Sequence, residues 1–261
     1  MKLNHYILTR LNESFPDNPL EHDRAADLGL DETWLSQRLD LLEKYTAQSL
    51  ARQTCMDFTW VVKCHERTPD WARNRISRHA CIALYGVEKE TFDSIRANRY
   101  FEAIYENQIP SNRLLCAYAF RAWILRDCAT GVILTTRLDS DDGLARDYVE
   151  TVQARFILNS HVDFSKGVVA QGNQYRLLDR TTAKQGPSQF LTYAELYSED
   201  LRTTYFKDHH YCRPALVIPK IGWLQAHHQD NLANNLINSA NFAAIDLQQV
   251  YERFPFLQPF A

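Results

Sequence analysis

Val132-Ile133-Leu134-Thr135-Thr136-Arg137-Leu138-Asp139-Ser140-Asp141-Asp142-Gly143 is the stretch on which the reading of this chain turns. An apolar run leads directly into three acidic residues within four positions. In extended chain, Asp139 and Asp141 point to the same side. At a strand end that opens into a loop, two carboxylates so placed can hold a divalent cation, and that cation can hold a diphosphate. Three adjacent carboxylates repel one another, so the run asks for a counter-charge and, through it, for a phosphorylated ligand.

Upstream, His5-Tyr6-Ile7-Leu8 predicts a first strand that ends at Thr9-Arg10-Leu11-Asn12. Residues 58–63 predict a second, with Phe58, Trp60 and Val62 on one face. Between them, a polar loop over 13–31 precedes a helix over 34–51 capped by Thr33, with Leu35, Leu39, Leu42 and Tyr45 at helical spacing. Thr68-Pro69-Asp70 marks another helix start, over 71–85. Residues 86–110 give no clear pattern. Ser111 caps a helix over 112–128 closed by Gly131, and a strand over 132–138 delivers the acidic run.

Downstream, the pattern predicts a helix over 148–158 and strands over 164–170 and 174–178 about a Gly172-Asn173 turn. A polar loop over 181–190, a short strand over 215–219 and a largely helical 230–251 complete it. Strands alternating with helices argue for an α/β sheet. In such sheets ligands gather beyond the carboxyl ends of the strands. Thr9, Arg10 and Asn12, the residues after Lys63, and Asp139 with Asp141 all fall at such ends.

With 261 residues and no break in composition, a single domain is expected. The chain is 45% hydrophobic, ordinary for a globular protein, and its 8 glycines speak against flexible linkers. A net charge of −3 offers no basic field for nucleic acid. The opening Met1-Lys2-Leu3-Asn4-His5 is too polar for a signal peptide, and no apolar run approaches the roughly 20 residues of a spanning helix. A soluble cytoplasmic protein is expected, at most peripheral to the inner face of a membrane. The 6 cysteines form no Cys-x-x-Cys pair, so free thiols are expected; Cys64, His65 and Cys81 lack zinc spacing.

Leu8-Thr9-Arg10-Leu11-Asn12, Trp34-Leu35-x-x-Arg38-Leu39, Gln53 to Trp60, Arg137 to Leu144, and Trp223-Leu224-Gln225-x-x-His228-x-x-Asn231 occur in an order that resembles the rhamnosyltransferase-like family of GT-A type glycosyltransferases. The resemblance runs over most of the chain. It implies a GT-A type fold, a Rossmann-like mixed sheet flanked by helices. It also implies a nucleotide-diphosphate sugar donor and a divalent metal. Asp139 and Asp141 fall on the Asp-x-Asp motif of that fold, and His228 on a C-terminal histidine that completes the metal site. Gln229-Asp230 stands where the family has two glycines. On this reading 1–145 is the nucleotide-sugar-binding half and 146–261 the acceptor-side half.

Glycosyl transfer builds charge on the leaving diphosphate, which a metal stabilises. Carboxylate oxygens suit Mg²⁺ or Mn²⁺, and an imidazole tilts the choice toward Mn²⁺. The metal candidates are therefore Asp139, Asp141 and His228, with His227 competing for the last place, while Asp142 could simply cap a helix. Thr9, Arg10 and Asn12 are candidates for donor recognition, the alternative being loop capping. Arg137 either neutralises the diphosphate or pairs with the neighbouring carboxylates. An inverting transfer needs a base for the acceptor hydroxyl, and Glu195 and then Asp208 are the candidates. The acceptor is a glycan or another hydroxyl-bearing molecule.

Three rivals fit less well. An Asp-x-Asp-x-Thr phosphatase wants Thr or Val where Gly143 stands, and a calcium loop wants a further oxygen ligand there. A non-catalytic nucleotide-sugar-binding or scaffold protein would not need Asp139, Asp141 and His228 intact.

Overall fold

The computed structural model describes residues 2–12, 29–86, 111–181, 186–204, 212–228 and 242–259. Strand β1 (Leu3–Arg10) lies between β2 (Thr59–Cys64) and β4 (Val132–Arg137), parallel to both. Strand β3 (Ile82–Tyr85) extends the parallel block beyond β2. Parallel strands are covered on both faces and must be apolar on both, and these are. Ile7, Trp60 and Val62 join one buried layer, while Tyr6, Leu8, Val61 and Ile133 join the other.

The first layer is closed by three helices. Helix α1 (Glu32–Leu41) runs on through a π-helical segment, Leu42–Ala47, to Ala51. With α2 (Asp70–Ile76) and α4 (Tyr148–Arg155), it supplies Leu35, Leu39, Ile76, Val149 and Val152 to the core. The opposite layer is closed by α3 (Ser111–Asp127) through Phe120 and Ile124.

Beyond β4 the sheet turns antiparallel. Strand β8 (Thr192–Leu196) pairs with β4, and β6 (Ser160–Gln171) pairs with β8 and with β7 (Gln174–Asp179). A short β10 (Phe242–Ala244) edges β7. Strand β9 (Leu216–Ala226) runs parallel to β6 and antiparallel to the two-residue β5 (Gly143–Leu144) that follows the acidic run. Helix α5 (Leu247–Arg253) packs Val250 into the cluster that holds Leu224 and Ala226 of β9. The expected α/β class, a mixed sheet with a parallel core flanked by helices, is what the chain adopts.

β6 and β9 approach closely because two glycines allow it. A Cβ on Gly167 would lie 2.1 Å from the Trp223 ring, and one on Gly222 would lie 2.2 Å from Phe164. Trp223 is held by its indole N–H donating to the Phe164 carbonyl (3.1 Å) and by stacking on Phe190, with ring centroids 5.2 Å apart.

Several boundaries differ from expectation. Asp31, not Thr33, caps α1: its carboxylate accepts from the Trp34 N–H at 2.8 Å. The helix expected over 71–85 stops at Ile76, because pairing with β2 draws residues 82–85 into the sheet. The helix expected over 148–158 stops at Arg155, where Phe156 turns extended. The short strand expected over 215–219 is the eleven-residue β9. Pro219 does not end it, since it falls where the β6–β9 register shifts and no ladder donor is needed. Residues 242–244, expected helical, are β10. The expectations for 13–28, 87–110 and 230–241 lie outside the described residues.

Candidate functional site

The acidic run leaves β4 at the carboxyl end of the parallel block and is fixed by a turn, with the Asp142 N–H donating to the Asp139 carbonyl at 3.3 Å. Thr46 braces that turn from the π-helical segment, its hydroxyl donating to the carbonyls of Asp142 (2.9 Å) and Asp139 (3.2 Å). Such π turns re-aim single side chains and recur at functional sites. Behind the turn, the His5 imidazole and the Thr136 and Thr192 hydroxyls form a buried hydrogen-bonded chain (2.8 and 2.6 Å) that locks β4 to β8.

The three acids have three different roles. Asp142 is buried: one carboxylate oxygen accepts from the Ala226 N–H (2.9 Å) and the other from the Gln189 amide (2.8 Å). Burial, with Asp141 and Asp139 beside it, pushes this carboxyl well above the ordinary range. It is a strut between the turn and the end of β9, not a helix cap. Asp141 meets His228, whose Nε2 lies 2.9 Å from its Oδ2, and Arg38, whose Nη1 lies 2.7 Å from the same oxygen. Asp139 faces Arg137, whose Nε and Nη2 donate to its two oxygens at 3.1 and 3.0 Å.

His228 is therefore the histidine that reaches the acidic run. The His227 backbone N–H donates to the Ala170 carbonyl (2.7 Å), and burial followed by the neighbouring His228 lowers the pKa of its imidazole. Of the expected metal set, Asp141 and His228 are in contact, while Asp139 pairs with Arg137. Among the described residues, no group of three or more His, Cys, Asp or Glu side chains gathers closely enough to hold a metal. Cys64, His65 and Cys81 are not gathered either, and no disulfide joins any of the six cysteines.

The strand-end residues expected to read the donor are largely committed to the scaffold. The Thr9 hydroxyl accepts from the Trp60 indole (3.0 Å). The Asn12 amide donates to the Gly29 carbonyl (3.0 Å) and the Thr68 hydroxyl (3.1 Å), and its oxygen accepts from the His65 N–H (3.2 Å). Arg10 is half-buried at the end of β1, beside the fully buried Lys63 of β2.

Glu195 is not brought to the acidic run. It sits on β8 opposite Ile133, three residues back from the Thr136–Thr192 pair that borders the run. Three residues of strand is roughly 10 Å. Its Oε2 accepts from the Arg202 N–H (2.7 Å), and it lines an open cavity of about 430 Å³ with Asn159, Tyr193 and Arg202. Asp208 lies outside the described residues.

Burial raises the Glu195 carboxyl from 4.5 to about 8, against the opposing pull of the Arg202 N–H and the Arg202 and Arg121 charges. The native protein thus binds this proton more tightly than the unfolded chain. Its stabilising effect is complete below about 4.5 and is lost as pH rises toward 8. The expected slope is at most about 1.4 kcal/mol per pH unit. Glu195→Gln should remove that slope and unfold later than wild type on the alkaline side, as urea unfolding on either side of the window will report.

Sequence reasoning gave no role to Arg38, Thr46 or Gln189, which complete this site. Arg38 follows Trp34 by one helical turn, and its guanidinium lies over that indole, 5.2 Å from the ring centroid. That spacing, and the place of Arg38 in the Trp34-Leu35-x-x-Arg38-Leu39 stretch, were the available signals.

The sequence profile of the family described as "Putative rhamnosyl transferase" matches residues 12–239. No match was found among curated proteins. Among solved structures, the crystal structure of S. aureus TarS is similar at 12% identity with a TM-score of 0.39. The match covers 87% of this chain and 37% of that one, so the chain spans little more than a third of that protein's length. Among the described residues, no helix is long and apolar enough to cross a membrane.

Proposed function

Because this chain belongs to the "Putative rhamnosyl transferase" family, we propose that it is a metal-dependent, inverting GT-A type glycosyltransferase. It moves a sugar from a nucleotide-diphosphate donor to an acceptor hydroxyl, with the donor's diphosphate at the end of β4. The observation that carries this reading is the meeting of Asp141 and His228. They are 87 positions apart, on the loops after β4 and β9, with Nε2 2.9 Å from Oδ2.

The chemistry of a carboxylate oxygen beside an imidazole nitrogen suits a divalent cation. A carboxylate oxygen and an imidazole nitrogen already converge, and Asp139 stands two residues away on the same turn. Asp141 and His228 would hold Mn²⁺ or Mg²⁺, with Asp139 joining them once it leaves Arg137. When bound, the metal supplies positive charge to the leaving diphosphate. Arg137 aligns Asp139 through a two-pronged contact, and Asp142 with Thr46 fixes the turn. Such pre-organisation places charge where it develops, without reorganisation during the reaction.

The position of Glu195, three residues back along β8, favours Asp208 as the base; Asp208→Asn should then abolish transfer while leaving donor binding intact. The 1–145 part serves the donor and the remainder the acceptor.

A panel of uridine and thymidine diphosphate sugars, rhamnose donors included, tests the reading. One donor should raise the melting temperature in Mn²⁺ and not in chelator, and should release nucleoside diphosphate when an acceptor glycan is added. Stabilisation without release under any acceptor would favour a binding protein. No stabilisation by any donor would contradict the proposal.

A further inference from the structure

Asp141 carries two partners on a single oxygen. Arg38 Nη1 lies 2.7 Å from Oδ2, and His228 Nε2 lies 2.9 Å from the same atom. The three side chains arrive from α1, from the turn after β4 and from the end of β9, and all are largely shielded, at 15, 13 and 18% side-chain exposure. Arg38 is also held over the Trp34 ring. A guanidinium kept between an indole face and a carboxylate is positioned before any ligand arrives.

The lone pairs that Asp141 gives to Arg38 are those it would give to a cation shared with His228. A positive charge already at 2.7 Å opposes a second one arriving at the same oxygen. A guanidinium displaced from a carboxylate is in turn well suited to a phosphate, which it grips with two parallel hydrogen bonds.

We infer that Arg38 is the resident counter-cation of Asp141: it competes with the divalent metal for Oδ2 and, once displaced, binds the donor's diphosphate. Metal and donor binding are thereby coupled through one side chain. The inference rests on the metal reading above, and its test separates the two.

Mn²⁺ binding, measured from the paramagnetic resonance of free Mn²⁺, is compared in wild type, Arg38→Gln and Asp141→Asn. Arg38→Gln should bind Mn²⁺ about threefold or more tighter, since a competing charge is gone. Its metal-free form should melt below wild type. Once Mn²⁺-loaded, it should bind uridine or thymidine diphosphate about tenfold more weakly, the loss of one charge-assisted contact. Arg38→Lys keeps the charge without the fork, and its Mn²⁺ affinity should fall between the two; it serves if the glutamine variant does not fold. Mn²⁺ binding in wild type with equal or weaker binding in Arg38→Gln overturns this inference alone. No Mn²⁺ binding in wild type overturns the metal reading and this inference together.

Discussion

Asp141→Asn should lower glycosyl transfer by about 10²–10³-fold, the usual effect of removing one group that stabilises charge developing on a leaving oxygen. The side chain keeps its shape but loses the charge that holds Arg38 and His228 together. The fold should survive, since Asp142, not Asp141, carries the contacts to Ala226 and Gln189. Losing one end of a shielded ion pair should cost about 1–3 kcal/mol of stability. Transfer rates and a urea unfolding curve on the same preparation distinguish the two effects. Near-normal transfer by a folded Asp141→Asn would remove Asp141 from the chemistry.

Gly167→Ala should be among the most destabilising single changes in the chain while touching no candidate site residue. The added methyl meets three atoms of the Trp223 ring at 2.1 to 2.3 Å. Trp223 cannot swing away, because it is buried, stacked on Phe190 and hydrogen-bonded to the Phe164 carbonyl. Overpacking of this kind costs about 1–3 kcal/mol, occasionally more. For a chain of this size that lowers the melting temperature by roughly 2–12 °C. Calorimetry reads the shift directly. Since β9 ends at Ala226, two residues before His228, the variant should also lose activity at temperatures where it is still folded.

Much of the sheet could be read from the chain. The strands at 5–8, 58–63 and 132–138 were legible from their short runs of apolar and β-branched residues. What failed was decided by distant partners. Residues 82–85 look like the tail of a helix until β2 is beside them, and β9 looks too short until the register shift accommodates Pro219.

The site divides the same way. The acidic run was legible because three carboxylates after a strand are costly. Yet part of the counter-charge they require is built into the protein: Arg137 is a neighbour in sequence, but Arg38 comes from a helix far upstream. Asp142 answers the repulsion differently, by burial and two hydrogen bonds that no local pattern announces. Thr9 and Asn12 lie where a ligand could be expected, but their polar groups turn inward to Trp60, Gly29, Thr68 and His65. Position at a strand end is visible in sequence; the direction in which a side chain is committed is not.

Pulsed paramagnetic resonance of the Mn²⁺-loaded protein with a nucleoside diphosphate tests most directly whether Asp141 and His228 form one diphosphate-binding metal centre. The bound Mn²⁺ should show coupling to an imidazole nitrogen and to phosphorus at once, and His228→Ala should erase the nitrogen coupling. Phosphorus coupling with no imidazole signal, or a nitrogen signal that survives His228→Ala, would contradict it.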